Sequence, residues 1–142
     1  MKLLLLGREK QQQVPPEYTV IKLTENNITE LDSITDHSCE EIICEEVFEN
    51  MPHKHFMEVL QRVFIKMRLN GHLLFTGIDL AALVEQYQIN NIDDDYFNKL
   101  VYSKKCIIAT KRIVDLAREF GINVVSLDKQ GFIYKLVLSR LS

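Results

Sequence analysis

The sequence predicts an α/β fold: a three-layer sandwich on a mostly parallel sheet of six or seven strands, closed by an antiparallel C-terminal hairpin. Three observations carry this prediction. Residues 40–79 run from a short apolar segment through an amphipathic stretch to a second apolar segment, the pattern of a strand–helix–strand crossover between parallel strands. Within residues 2–7, Leu3 to Leu6 are a continuous apolar run stopped by glycine, as in a strand buried on both faces. The chain then ends as helix, glycine, strand, turn and strand, the order of an edge hairpin.

Each element follows from its residues. Lys2 to Gly7 gives the first strand, and the β-branched and aromatic residues 18–23 give a second. Between them Pro15-Pro16 leaves no room for a helix of useful length after Gly7. Asn27 reads as a turn or cap ahead of residues 28–34. Ile42-Ile43-Cys44 is a short buried strand. After Pro52, residues Phe56, Val59, Leu60, Val63, Phe64 and Met67 recur at helical spacing, with Asn70-Gly71 expected as the left-handed cap. Residues 72–78 form the next strand. Asp79 is expected to cap a helix over residues 80–87 whose inward stripe is Leu80, Leu83, Val84 and Tyr87. The acidic run Asp93-Asp94-Asp95 suits the N-terminus of a short helix over residues 96–102. Thr110 starts a helix to Phe120, with Ile113, Val114, Leu116, Ala117 and Phe120 inward and Gly121 as its cap. Residues 122–127 and 132–138 form the closing hairpin around residues 128–131.

Composition narrows the function. At 142 residues the chain reads as a single domain, 1–142, large enough for a real core. Its 46% hydrophobic and 26% charged residues are those of an ordinary globular protein. A net charge of −3 supplies no basic footprint, so nucleic acid is not an expected partner. No apolar run approaches the roughly 18 residues needed to span a bilayer. No membrane partner is expected either, and the expected location is the cytoplasm. Cys39, Cys44 and Cys106 are odd in number and lack ligand spacing, so they read as reduced, packed thiols. No third ligand joins His53 and His55 at metal spacing, and no metal site is expected.

The central stretch also resembles the second half of small, type 11 class I S-adenosylmethionine-dependent methyltransferases. Thr35 to Ile42 stand where that family has Pro-Asp-Asn-Ser-Val-Asp-Glu-Ile. Glu46 to Pro52 stand where it has His-Val-Leu-Glu-His-Ile-Pro, Lys66 to His72 where it has Arg-Val-Leu-Lys-Pro-Gly-Gly, and Ile78-Asp79 where it has Pro-Asp. The likeness covers residues 27–140 and implies a Rossmann-like methyltransferase sandwich. It implies S-adenosylmethionine as cofactor and a small molecule or glycan as methyl acceptor.

The resemblance also nominates residues. Ligands of such sheets bind beyond the carboxyl ends of the strands, which points to Leu6, Gly7, Arg8, Glu25, Asn27 and Cys44 for the cofactor. Glu25 is the candidate for the ribose hydroxyls and Asn27 for the adenine amine. Glu45 and Glu46, in an acidic run with Glu49, are the candidate catalytic bases. A solvated acidic loop is the alternative for that run. The chain departs from the family in its N-terminal half, where one glycine replaces a glycine-rich loop and one strand stands for two. Two functions from different classes follow: a small methyltransferase, or a degenerate non-catalytic module for binding or assembly. Missing helices would leave one sheet face under-covered, so self-association as a two-fold dimer is expected.

Overall fold

The computed structural model describes residues 1–8 and 13–141. The expected gap in helical structure between Gly7 and Pro15 falls partly on residues 9–12, outside the described residues. Among the described residues six strands form one sheet: β1 (Lys2–Leu6), β2 (Tyr18–Lys22), β3 (Cys39–Glu45), β4 (Met67–Ile78), β5 (Ile122–Gln130) and β6 (Ile133–Arg140), in the order β2-β1-β3-β4-β6-β5. The first four run parallel, and β6 is antiparallel to both of its neighbours. The α-helices of the described residues, α1 (Phe56–Lys66), α2 (Leu80–Gln88), α3 (Asp94–Ser103) and α4 (Thr110–Glu119), connect them, with a 3₁₀ turn over Ile28–Ser33. This is the mostly parallel α/β sheet with an antiparallel C-terminal pair that the sequence predicts.

Alternation along the strands puts Leu3, Leu5, Ile42, Cys44, Leu73, Phe75, Leu136 and Leu138 on one face. That face meets Val59, Leu60, Val63 and Phe64 of α1, Ile113, Leu116 and Ala117 of α4, and Ile28 and Leu31 of the 3₁₀ turn in one buried core. Phe64 packs its ring 5.6 Å from that of Phe120, joining α1 to the end of α4. All three cysteines are free and buried.

Several boundaries differ from the sequence reading. Helix α1 ends at Lys66, and Met67 already belongs to β4, so Asn70-Gly71 is not its cap. Asn70 keeps the predicted left-handed backbone, φ 62°, but inside a strand that shifts register against β3 between Cys39 and Glu41. A glycine is required next to it, because a Cβ on Gly71 would lie 2.8 Å from the Cys39 carbonyl oxygen. Lys66 is buried: Nζ donates to the Ile34 carbonyl at 2.8 Å and to Asp36 at 2.6 Å. Asp79 caps α2 as expected, but Leu80 and Val84 are exposed and the helix buries Ala82 and Leu83. Helix α3 buries no residue. The hairpin strands run further than predicted, β5 reaching Gln130 and leaving only Gly131 and Phe132 between the strands. As an edge strand, β5 exposes Val124, Val125 and Leu127.

Candidate functional site

Strand β1 lies between β2 and β3, so the chain leaves it toward one neighbour and returns past it to the other. That reversal is the topological switch point, and its carboxyl-end crevice is where ligands of open parallel sheets bind. The described residues around it are Leu6, Gly7 and Arg8 after β1, Thr24 to Asn27 after β2, and Glu45 to Asn50 after β3.

Three of the nominated residues, Gly7, Arg8 and Glu46, meet at this point. The Gly7 amide donates to the Glu45 carbonyl at 3.0 Å. Arg8 Nε lies 2.8 Å from Glu46 Oε2. Glu46 has φ 51°, a left-handed conformation that costs a non-glycine residue about 1–2 kcal/mol. Three contacts hold it there. Its amide donates to the Thr76 carbonyl at 3.1 Å, its own carbonyl accepts from Asn50 Nδ2 at 2.9 Å, and its carboxylate meets Arg8. Its carbonyl fills the space a side chain at position 7 would need, since a Cβ on Gly7 would lie 1.9 Å from that oxygen. The single glycine of the first loop thus makes room for the neighbouring backbone.

The other nominated residues sit elsewhere around the rim. Glu25 follows β2, with Oε1 3.1 Å from Lys105 Nζ, and a third of its side chain is exposed. Asn27 serves its own turn: Oδ1 accepts from the Thr24 amide at 2.6 Å and Nδ2 donates to the Lys22 carbonyl at 2.8 Å. That matches its reading as a turn residue and leaves little of its amide for a ligand. Cys44 turns into the core, and burial pushes its thiol well above the ordinary range, so a ligand at the rim meets only its backbone. Leu6 is buried too, its carbonyl accepting from the Leu23 amide at 2.8 Å. Glu45 alternates with Cys44 and faces the opposite side of the sheet.

Behind Glu46 lies a carboxylate that sequence reasoning grouped with the acidic run but did not nominate. Glu49 is 2% exposed. Its Oε1 accepts from the Ile78 amide at 2.8 Å, while Oε2 is buried with no hydrogen-bond partner. Gly77 lies directly beneath, where a Cβ would come within 2.1 Å of Glu49 Oε1. Burial raises the Glu49 pKa above the ordinary carboxylate range; the amides of Ile78 and Glu49 itself pull the other way, and the charge of Glu46 adds to the rise. The three-residue spacing Glu46…Glu49 was the one available signal, since a turn brings such residues to the same side.

S-adenosylmethionine, which the resemblance implies, meets a mixed reception among these residues. Glu25 offers a carboxylate at the end of β2, engaged in a surface ion pair of small worth with Lys105. Arg8 and Glu46 offer a charged pair beside the switch point. The approach at Gly7 is filled by Glu46, so entry of a ligand there requires Glu46 to leave its left-handed conformation. No group of three or more potential metal ligands occurs among the described residues, and none of their helices is long and apolar enough to cross a membrane.

No family model matches the sequence, and no curated protein does either. Solved structures do share its fold. An S-adenosylmethionine-dependent methyltransferase from Archaeoglobus fulgidus aligns over 97% of this chain and 85% of its own length, with a TM-score of 0.62 and 9% identity. A 1,6-didemethyltoxoflavin-N1-methyltransferase from Burkholderia thailandensis, solved with 1,6-didemethyltoxoflavin and S-adenosylhomocysteine bound, aligns over 99% and 71%, with a TM-score of 0.59 and 10% identity. An O-methyltransferase family protein from the same organism aligns over 88% of this chain, which spans only 36% of it, with a TM-score of 0.60 and 13% identity. At such identities the likeness concerns the backbone alone. Sheet order, crossover and these neighbours together give the chain a class I S-adenosylmethionine-dependent methyltransferase-like fold.

Proposed function

We propose that this chain is a small methyltransferase that uses S-adenosylmethionine at the β1–β3 crevice to methylate a small molecule or glycan. The observation that carries the proposal is Glu46. It is a strained acidic residue held by three contacts at the switch point, and strain of this kind collects at ligand sites. The bound cofactor would supply an electrophilic methyl group. Glu46, partly exposed, stands as the base toward an acceptor hydroxyl or amine, with Arg8 holding its carboxylate in place. Glu25 stands toward the ribose hydroxyls. Glu49 touches no ligand; it packs under the loop that carries Glu46. Three buried free thiols suit a reducing compartment, which supports the cytoplasm as its location.

A second reading, a non-catalytic module on the same fold, is favoured by the closed approach at Gly7 and by the internal hydrogen bonds of Asn27. Calorimetric titration of the whole chain with S-adenosylmethionine and S-adenosylhomocysteine separates the two. The expected result is a dissociation constant in the hundreds of micromolar for each, weakened further in Glu25→Ala. The cost of displacing Glu46 sets that modest affinity. No heat of binding at millimolar ligand overturns the enzyme reading and leaves the second.

A further inference from the structure

The sheet face opposite the core carries a pattern that the site does not use. Register aligns Val20, Leu4, Ile43, Leu74 and Val137 in one row across five strands. None of the five belongs to the buried core. Leu4 is buried, but Val20 is 44% exposed and Ile43, Leu74 and Val137 are half-buried. An apolar stripe this long on a central sheet is unusual for a face left to water.

The rows on either side of the stripe are charged, with both signs present. Toward the amino ends lie Lys2, Glu41 and His72; toward the carboxyl ends lie Lys22, Glu45, Lys135 and Asp128. Three lysines balance three acidic residues, so the face is neutral with His72 uncharged. A nucleic acid or an anionic membrane requires an excess of positive charge that this face lacks. Alternating charges around an apolar stripe are instead the arrangement of a surface that fits itself.

We infer that this face packs against the same face of a second copy, about a two-fold axis parallel to the strands and passing between β3 and β4. That axis is the midline of the six-stranded sheet, so it exchanges β3 with β4, β1 with β6 and β2 with β5. Ile43 of one copy then lies over Leu74 of the other, and Leu4 over Val137. Glu41 lies over His72, and Lys22 over Asp128. Glu45 meets Thr76, and Lys135 meets Leu6. No like charges face each other in this register, and the stripe is covered along its length. Two sheets packed this way stand about 10 Å apart, close enough for the side chains to interdigitate. A depression of about 520 Å³ lined by Lys2, Glu41, His72, Leu74, Lys135 and Val137 provides the relief for it. The test is independent of cofactor binding, because Leu74, Lys22 and Asp128, which carry it, lie outside the crevice.

Sedimentation equilibrium of the whole chain tests it. The wild type is expected to be a dimer at tens of micromolar. Leu74→Glu, at a half-buried position where a lone chain tolerates a carboxylate, is expected to be a folded monomer with unchanged far-UV circular dichroism. Lys22→Asp sets like charges together and is expected to weaken the dimer by about tenfold or more, with Asp128→Lys in the same chain restoring it. Met57→Glu, on the exposed side of α1, is expected to leave the dimer intact. A wild-type monomer, a dimer indifferent to Leu74→Glu, or a charge swap that fails to restore affinity overturns the inference. The first of these would leave the stripe to a different protein.

Discussion

Glu49 is expected to make the chain less stable as the pH rises, and the sign follows from its burial. Its carboxyl group is 2% exposed, and burial, the largest influence on it, raises its pKa in the folded chain. Between the ordinary carboxylate pKa and this raised value the folded chain holds a proton that the unfolded chain has released. Stability therefore declines with pH across that window, by about 1.4 kcal/mol per pH unit for one proton, and levels off above it. Below the ordinary carboxylate range both states are protonated and the contribution is fully present. Glu49→Gln removes the ionisation but keeps an oxygen to accept from the Ile78 amide, and its amide nitrogen takes the place of an Oε2 that already lacks a partner. Urea unfolding from about pH 4 to about pH 9 is the assay. The two proteins should be close in stability at the acid end, and Glu49→Gln should become progressively the more stable as pH rises. Parallel profiles would show that Glu49 ionises normally and would refute the argument.

Three further outcomes are expected. Phe64→Ala should cost about 3–5 kcal/mol in denaturant unfolding, because the ring is fully buried in the core beside Phe120; a loss under about 1 kcal/mol would show the helix face misassigned. Asp79→Ala should cost roughly 2–4 kcal/mol, since its carboxylate accepts from the Ala82 amide at 2.8 Å and the Thr110 amide at 2.7 Å, serving the starts of both α2 and α4; an effect no larger than a single cap would contradict this. Glu46→Gly should be more stable than Glu46→Ala by about 1 kcal/mol, because glycine adopts φ 51° without strain, while binding S-adenosylmethionine more weakly than wild type. Equal stability of the two variants, measured by urea unfolding, would remove strain from the account of the site.

The fold was legible because burial patterns repeat along the chain, and the site was legible only where strand ends fix positions. Leu3 and Leu5, Ile42 and Cys44, and the stripe of α1 all lie where periodicity put them. Gly7, Arg8 and Glu46 converge because β1 and β3 are hydrogen-bonded neighbours, and a crossover pattern implies as much about their ends. Asn70-Gly71 misled because a left-handed residue followed by glycine serves a kinked strand as well as a helix end, and local sequence does not distinguish them. Leu80 and Val84 misled because α2 buries a narrower strip than its apolar residues allow. Cys44 and Leu6 were placed on the rim by position alone, whereas strand alternation and burial decide where their side chains go. Glu49 needed the third dimension altogether. Its burial depends on Gly77, 28 positions later in the chain by numbering, having no side chain.

That dependence separates the roles of the three acidic residues after β3. Two glycines at the ends of β1 and β4, the strands on either side of β3, are kept small by one segment: Gly7 by the Glu46 carbonyl and Asn50, Gly77 by the Glu49 carboxylate. Residues 46–50 are therefore wedged between the exits of β1 and β4, and the carboxyl end of the sheet is packed around them. Within the wedge, Glu49 is wholly enclosed and can act only on its surroundings. Glu45 belongs to the strand and lies in the charged row of the opposite face. Glu46 alone keeps a carboxylate partly exposed at the switch point while its backbone serves as a packing element. Of the three, Glu46 is therefore the one whose carboxylate reaches the switch point, and any ligand that enters there must move the backbone that holds it.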